Sequence, residues 1–361
     1  MIAIITDTHQ GARGGSSIFR EYFRWWYETQ FFDVLQEQGI RTILHLGDFF
    51  DNRNAITLQD IDFVSVWFAE QLRTRNMHLI ITIGNHDVAY KNTNKIHSLS
   101  MLKAAAPNNV TVIEEATLMS LEGQQYALVP WINAENYTRT FDMLNGITNK
   151  DDVIVAGHFE ITGAKHYAKS APAEHGLDPA VFSSFKELWS GHFHHKSKMA
   201  NIRYMGSAFH LNWQDHNDAR GFHTFDAATG SLVFVENEYS LFVEVAFDAT
   251  TFKAMTDEQC AKLYESRFVR LFVDGDYDKA ILLDTIAKIN RIKPHDLQVI
   301  NNAMLKKSDV VEDAVVVDVT KSTQEYIMCY MEERPDYNLT VVKDKMMDLF
   351  GKAQQAMVKG E

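Results

Sequence analysis

The sequence predicts an α/β fold in which short buried strands alternate with amphipathic helices through the first half of the chain. Five apolar runs are typical of buried strands, and each is followed directly by a polar signature: residues 2–6, 42–46, 78–83, 153–156 and 187–190. Between the early strands, apolar residues recur at the spacing expected of one face of a helix. Because ligands collect beyond the carboxyl ends of strands in α/β sheets, we expect the five signatures to meet at one sheet edge.

The helical segments have individual support. Residues 18–38 and 133–144 carry apolar side chains at helical spacing. Between them, a third helix is expected to start near Thr57, a hydroxyl residue suited to cap a helix N-terminus. Further along the chain, the alternating pattern predicts antiparallel strands at 198–205, 222–226 and 231–235.

Composition changes twice after these strands, and this divides the chain into three parts. We predict a large domain at 1–236, a small α+β capping domain at 237–304, and a linker with a helical tail at 305–361. The capping domain is expected to be β-rich with one helix, at about 278–292. The last helix of the tail carries an apolar stripe at helical spacing: Val342, Met346, Leu349, Phe350, Ala353 and Met357.

Charge and cysteine content limit the function classes. The formal net charge is -13, whereas proteins that bind DNA unaided usually carry a basic face. The two cysteines, Cys260 and Cys329, lie far from every signature, which excludes a disulfide framework or a thiolate metal site. Few cysteines favour a reducing, intracellular setting. No apolar run reaches the roughly 18 residues that a membrane span needs, so we expect no membrane partner.

The five signatures together form an inventory of metal ligands. They are Asp-Thr-His at 7–9, Gly-Asp-Phe-Phe-Asp at 47–51, Gly-Asn-His-Asp at 84–87, Gly-His at 157–158 and Gly-His-Phe-His at 191–194. They supply two carboxylates, one amide and four imidazoles as candidate ligands: Asp7, Asp48, Asn85, His9, His158, His192 and His194. His86 is one further imidazole, outside this ligand set. This set suits two divalent cations that share a bridging carboxylate, and such a pair assists phosphoester hydrolysis.

No single signature is decisive, because Asp-x-His and a lone Gly-Asp are common by chance. The evidence for a metal site is the ordered combination of all five signatures, each of which follows a predicted strand. Other histidines are better explained by packing: His45 lies inside a predicted strand, and His195 should point away from His194 in an extended segment. Asp87 is either a supporting partner of the site or a turn residue.

The ordered signatures resemble those of the calcineurin-like metallophosphoesterase superfamily over about residues 1–235. The resemblance implies a four-layered α/β/β/α sandwich and two divalent cations, with Mn²⁺ favoured. One ion would be held by Asp7, His9, Asp48 and His194. The other would be held by Asp48, Asn85, His158 and His192, with Asp48 bridging the two. By the same resemblance, His86 would be the catalytic residue that protonates the leaving oxygen or stabilises the transition state. Asp51 would orient His86, since a carboxylate fixes the tautomer of a neighbouring imidazole.

Within that superfamily, residues 204–207 resemble the Tyr-Pro-Gly-Ser segment of double-strand-break repair nucleases, with Met205 replacing proline. We therefore expect Tyr204 and Ser207 to bind substrate. The domain order resembles that of phage-type recombination endonuclease subunits, which act on DNA with a coiled-coil, SMC-like ATPase. The resemblance implies exo- or endonuclease activity in DNA repair, recombination and replication, and an ATPase that docks on the C-terminal tail. Asp51 departs from the cellular members, which often have histidine there.

Two alternatives stay open at the level of sequence. One is a phosphodiesterase for cyclic nucleotides or other small phosphodiesters, and the other is a metal-free scaffold with the same fold. A homodimer is also open, since the sequence carries no signature for or against it. The expected location is the cytoplasm, which is the host's cytoplasm if a phage encodes the chain.

Overall fold

Two mixed β-sheets packed face to face contain most of the apolar core. The structure is a computed structural model, and it describes residues 1–168, 170–274 and 277–301. The predicted tail at 305–361, with its linker and apolar stripe, lies outside these residues. Residues 1–302 belong to one compact unit.

The strands, numbered β1 to β17 in chain order, are Ile2–Ile5, Thr42–His45, His78–Thr82, Val88–Tyr90, Thr93–His97, Val110–Ile113, Thr117–Leu121, Gln124–Val129, Val153–His158, Glu187–Gly191, Ser197–Met199, Ile202–Tyr204, Gly221–Asp226, Ser231–Glu236, Phe242–Ala246, Phe268–Val273 and Asp296–Asn301.

The α-helices, numbered α1 to α10, are Ala12–Gly15, Ser17–Trp26, Phe32–Glu37, Leu58–Asp62, Ala69–Thr74, Leu99–Ala105, Tyr137–Gly146, Ala249–Ala254, Asp257–Tyr264 and Lys279–Arg291. Two π-helical segments, Tyr27–Phe31 and Phe63–Phe68, join neighbouring helices into longer continuous runs. The run from α2 to α3 confirms the helix predicted at 18–38. Thr57 caps α4 as predicted, because its side chain accepts a hydrogen bond from the backbone nitrogen of Asp60.

Among the described residues, each main sheet has six strands and a parallel centre. The first sheet has the order β14-β13-β1-β2-β3-β6, in which β1, β2, β3 and β6 are parallel. The second has the order β11-β12-β10-β9-β8-β7, in which β8, β9, β10 and β12 are parallel. The predicted antiparallel strands add to the edges, β13 and β14 in the first sheet and the β11–β12 hairpin in the second.

Strand periodicity explains the layers. In β1, Ile2 and Ile4 face the second sheet, whereas Ala3 and Ile5 face the other side, toward helices α2 and α3. The layer between the sheets contains apolar side chains from both of them, including Leu44 and Trp189. A third cluster packs the outer face of the second sheet against α7. The mixed α/β prediction is confirmed, and the two sheets are consistent with the predicted sandwich.

The C-terminal part of the described chain differs from the prediction. Its three strands, β15, β16 and β17, are all parallel, and among the described residues they are accompanied by α8, α9 and α10 rather than by one helix. Parallel neighbours require crossover connections, which these helices supply. The sequence carries their caps: the Asp248 side chain accepts from Thr251, and Thr256 with Gln259 forms a capping box. Asp248 also separates the end of β15 from the start of α8.

In the described ranges, none of the helices combines the length and the apolar character that crossing a bilayer demands.

The layer between the sheets gives a stability prediction. Replacing Leu128, fully buried in that layer, with alanine should lower the free energy of unfolding by about 2–5 kcal/mol, because a cavity is left behind. Leu118→Ala, on the neighbouring strand β7 but 50% exposed, is the matched control and should change it by less than about 0.5 kcal/mol. Urea denaturation measures both. Equal shifts for the two variants would contradict the assigned layer.

Candidate metal centre

The five signatures meet in space, but they come from two sheets rather than from one. Asp7, Asp48 and Asn85 follow β1, β2 and β3 of the first sheet, whereas His158 and His192 lie at the ends of β9 and β10 of the second. The expectation of a single sheet edge is therefore wrong. Both sheets have parallel centres, and their carboxyl ends lie together because the sheets pack face to face.

The backbone around the site is bent into unusual conformations. Four of the non-glycine residues have positive φ: Asp7 (50°), His9 (44°), Asp48 (53°) and His192 (88°). This region is sparsely populated for such residues and costs about 1–3 kcal/mol each. Hydrogen bonds between the loops hold it in place. The backbone nitrogen of Asp7 donates to Gly47 at 3.1 Å, and that of His9 donates to Asp48 at 3.2 Å.

The first cluster contains Asp7, His9 and His194, whose ligand atoms lie within 4.8 Å of one another. The Nε2 atoms of His9 and His194 are 3.0 Å apart. His194 Nδ1 is buried and has no hydrogen-bond partner among the described residues. The Asp7 carboxylate accepts from Thr6 Oγ1 at 2.8 Å and from the backbone nitrogen of His192 at 3.0 Å. The nitrogen atoms of the two imidazoles thus converge on one point beside a carboxylate.

The second cluster contains Asp48, His158 and His192, with the same spacing limit of 4.8 Å. The Asn85 side-chain oxygen lies 3.0 Å from His158 Nε2 and 2.9 Å from His192 Nδ1. His158 Nε2 is also 3.2 Å from an Asp48 carboxylate oxygen. His158 Nδ1 donates to the backbone oxygen of Leu46 at 2.8 Å, which leaves Nε2 as the ligand nitrogen.

A third group, His9, Asp48 and His86, links these two clusters. Asp48 therefore stands within reach of both predicted ion positions, as a bridging ligand must. The structure brings together all seven predicted ligands, Asp7, His9, Asp48, Asn85, His158, His192 and His194, and it places His86 beside them.

The donor set fits divalent cations. Two nitrogen ligands, each about 2.1 Å from one cation and at right angles, are about 3 Å apart. Four separations between donor atoms, one in the first cluster and three in the second, run from 2.9 to 3.2 Å. His and Asp clusters of this kind are consistent with divalent metals, and they do not identify the ion.

Electrostatics in the site follow from burial. Desolvation raises the pKa of Asp7 above its ordinary value. Burial alone would lower the pKa of His158, but the Asp48 carboxylate, with Asp7 and the Leu46 backbone oxygen, raises that pKa to about 9. Burial lowers the pKa of His192 to about 3. The buried carboxylates thus attract positive charge, and the neutral His192 is suited to ligation.

Comparisons with known proteins agree with this geometry. The family model for calcineurin-like phosphoesterases matches residues 1–196, more than half of the chain. The chain belongs to this family.

Among curated proteins, the chain is similar to exonuclease subunit 1 of Enterobacteria phage T4, with 35% identity over 208 residues. The match covers 58% of this chain and 59% of that relative, so it spans about three-fifths of each. Among solved structures, a nuclease named MPE from Pseudomonas putida matches 56% of this chain and 66% of its own, at 17% identity and a TM-score of 0.29. That likeness is too slight to support an argument.

Asp51 has a different arrangement from the one expected. Its carboxylate lies 3.3 Å from His9 Nδ1, and it is the backbone oxygen of Asp51 that accepts from His86 Nδ1, at 2.6 Å. Asp51 therefore does fix His86, through the main chain, while its side chain contacts the predicted ligand His9. Burial would lower the pKa of His9, but Asp51 and the neighbouring carboxylates raise it to about 9.

Of the two alternatives for Asp87, the structure favours the supporting partner of the site. The buried carboxylate accepts from the backbone nitrogens of Phe49, Phe50 and Gly84 at 2.9–3.1 Å. It joins the loop that carries Asp48 to the loop that carries Asn85. Burial, together with the nearby Asp48 carboxylate, raises its pKa to about 7.

Tyr204 and Ser207 are not where substrate could reach them. Both side chains are buried. The Tyr204 hydroxyl accepts from the Ile161 nitrogen and donates to the Phe159 oxygen, each at 3.0 Å. The Ser207 hydroxyl donates to the Phe209 oxygen at 2.9 Å, while its backbone nitrogen donates to the oxygen of His194. This placement corrects the expected substrate contact: the segment supports the strand and loop that present His194.

Two residues near the site carried no sequence signal of a role there. Arg220 is fully buried, forms ion pairs with Asp215 at 2.7 Å and Asp218 at 3.0 Å, and donates to the backbone oxygen of His194. Trp131 places its ring 5.4 Å from His192 and 5.9 Å from His158, centre to centre. A buried arginine becomes recognisable only once its two carboxylate partners are seen close by. The discounted histidines behave as expected: His45 is buried in β2, and His195 pairs with Asp218.

The close approach of the loops gives a prediction at Gly84. A methyl group there would collide with the backbone nitrogen and the carboxylate of Asp48. Gly84→Ala should therefore displace Asp48 and weaken Mn²⁺ binding by at least about tenfold, which isothermal titration calorimetry measures. Gly146→Ala, at a glycine with open space around it, is the control. Unchanged Mn²⁺ affinity in the Gly84 variant would rule out the proposed packing of Asp48.

Proposed function

We propose that the chain is the nuclease subunit of a nuclease–ATPase complex that hydrolyses DNA phosphodiester bonds during double-strand-break processing and recombination. The observation that carries this proposal is the position of Asp48, within reach of two His/Asp clusters and beside His86. Family membership supports phosphoester chemistry. The similarity to a phage protein named as an exonuclease subunit supports DNA as the substrate and a partner as part of the assembly.

We assign the roles residue by residue. Asp7, His9, Asp48 and His194 would hold one cation, and the other would be held by Asp48, Asn85, His158 and His192. We propose Mn²⁺ for both. A cation pair in this position supplies charge that stabilises the attacking and the leaving oxygens of a phosphodiester. The Asp51 carboxylate would orient His9 and increase its basicity toward the cation.

His86 is assigned the proton transfer. Its Nδ1 donates to the backbone oxygen of Asp51, since a carbonyl only accepts. Nε2 is therefore the nitrogen that faces substrate. In the imidazolium form, Nε2–H would donate to the leaving oxygen as the phosphorus–oxygen bond breaks. His86 is only partly buried, so substrate can approach it.

The remaining parts of the proposal concern organisation. We propose a four-layered α/β/β/α nuclease domain at 1–236, a capping domain at 237–304 that contacts DNA, and a tail at 305–361 that docks on a coiled-coil, SMC-like ATPase. Two such subunits would also suit a homodimer. The expected location is the cytoplasm, which is the host's cytoplasm for a phage-encoded chain.

His86→Asn should lower the rate of DNA hydrolysis by about 10²–10⁴-fold, the usual contribution of a general acid. Bound Mn²⁺ should stay near the wild-type level, because the proposed ligands are untouched. Hydrolysis of linear duplex DNA, with and without the ATPase, gives the rate, and plasma mass spectrometry gives the metal content. The exposed His175 provides a control, since His175→Asn should change neither quantity.

The same assay separates the alternatives. Normal DNA hydrolysis by His86→Asn would refute the assignment of the proton transfer to His86. Turnover of cyclic nucleotides by the wild type without cutting of DNA would favour a small-substrate phosphodiesterase. A wild-type chain that takes up no Mn²⁺ at saturating concentration would favour the scaffold.

A charge in the apolar stripe of the tail should block docking of the ATPase. In the full-length chain, Phe350→Glu is expected to reduce ATPase capture by at least about tenfold, because burying an unpaired carboxylate is costly. Lys352→Glu, which lies off the stripe, should leave capture intact. Pull-down of the purified ATPase measures both. Equal capture by the two variants would refute the stripe as the docking surface.

A further inference from the structure

A cavity of about 320 Å³ opens directly beside the second cluster of the metal centre. His158 forms part of its wall, together with Trp131, Tyr137, Glu160 and Leu177. Its volume lies at the small end of ligand sites, which run from about 300 to 1,000 Å³. It is therefore large enough for one flat heterocycle. No step of the proposed hydrolysis uses it.

Trp131 is held firmly in the wall of this cavity. Its backbone nitrogen donates to the oxygen of Ile83 at 2.7 Å, and its backbone oxygen accepts from the side-chain nitrogens of Asn94 and Asn136 at 2.8 and 2.9 Å. Ile83 comes two residues before the ligand Asn85. The backbone of Trp131 is thus fixed relative to the metal centre by the loop after β3, which presents one of its ligands.

Glu160 is the acidic residue of a wall that is mostly apolar. Its backbone oxygen accepts from the Leu177 nitrogen at 2.8 Å, which ties together two sides of the cavity. Among the described residues, its carboxylate has no hydrogen-bond or ion-pair partner. Tyr137, on α7, and Phe159 are further aromatic residues of the wall.

We propose that this cavity binds the nucleobase of the nucleotide whose phosphate is cleaved, with Trp131 as the stacking surface and Glu160 as a hydrogen-bond acceptor. The inference rests on the proposed nuclease function and extends it to the substrate. A base enters such a site only when it is unpaired and unstacked, so the reacting nucleotide leaves the duplex.

The chemistry of the wall defines a base preference. A carboxylate accepts from the exocyclic amino groups of cytosine, adenine and guanine. Thymine has no exocyclic amino group and carries a carbonyl oxygen where cytosine has its amino group, so the ring N3–H is its remaining donor. Glu160 therefore disfavours thymine, while stacking on Trp131 is available to every base.

Binding of mononucleotides tests this without relying on catalysis. Isothermal titration calorimetry of the full-length, Mn²⁺-loaded protein would compare dCMP, dTMP and 2-deoxyribose 5-phosphate, which lacks a base. We expect dCMP to bind at least about fivefold tighter than dTMP, and about 5- to 150-fold tighter than the sugar phosphate. Trp131→Ala should bring dCMP down to the affinity of the sugar phosphate. Glu160→Gln should remove the preference for dCMP over dTMP.

Trp25→Ala is the matched control, since Trp25 is a partly exposed tryptophan on α2 and not in the cavity wall. It should keep the wild-type ranking of the three ligands. Equal wild-type affinity for dCMP and the sugar phosphate would overturn the proposal, as would a Trp131→Ala variant that loses affinity for both alike. Trp131-dependent binding of dCMP by a protein that cuts no DNA would instead reject the nuclease function and keep the base site.

Discussion

The buried carboxylate of Asp48 is the group around which the site and much of the fold are arranged. It is only 2% exposed, accepts from the backbone nitrogen of His86 at 2.8 Å and lies 3.2 Å from His158 of the other sheet. A buried anion without compensation costs several kcal/mol. The nearby positive charge and the donors that surround Asp48 therefore have to be in place when the two sheets assemble. The position of Asp48 consequently links the stability of the fold to the chemistry of the site.

Space is the second constraint, and it explains why the signatures contain glycine next to their ligands. The loops of the two sheets approach so closely that a methyl group at Gly191 would meet the Thr6 hydroxyl and the Leu46 backbone oxygen. Larger residues would push the sheets apart and separate the clusters. Asp87 then holds the two loops of the first sheet in place relative to each other, because it accepts hydrogen bonds from both. Donor atoms about 3 Å apart result from this packing.

Local pattern was enough to predict the five strands that precede the signatures and the cap at Thr57, because each depends on neighbouring residues. The partition of strands between two sheets was not predictable, since β8 to β12 pair with one another through contacts far apart in sequence. The contacts of the Asp51 side chain could not be predicted from sequence either. Its sequence position indicates nearness to His86, but whether its carboxylate or its backbone makes the contact depends on where His9 lies. Tyr204 likewise looks functional in sequence and is buried in the structure.

The acidic charge of the chain sets a condition on how DNA would reach this site. With 48 acidic against 35 basic residues, the long-range field repels a polyanion, and phosphate contacts dominate the affinity of most DNA-binding proteins. The metal centre adds more carboxylates where the scissile phosphate must lie. Cation binding reverses the sign of the field at that point, so metal and DNA binding should be thermodynamically linked. Stacking of a base on Trp131 contributes affinity that salt does not screen. This contribution would matter most in a protein whose surface offers the phosphate backbone so little attraction.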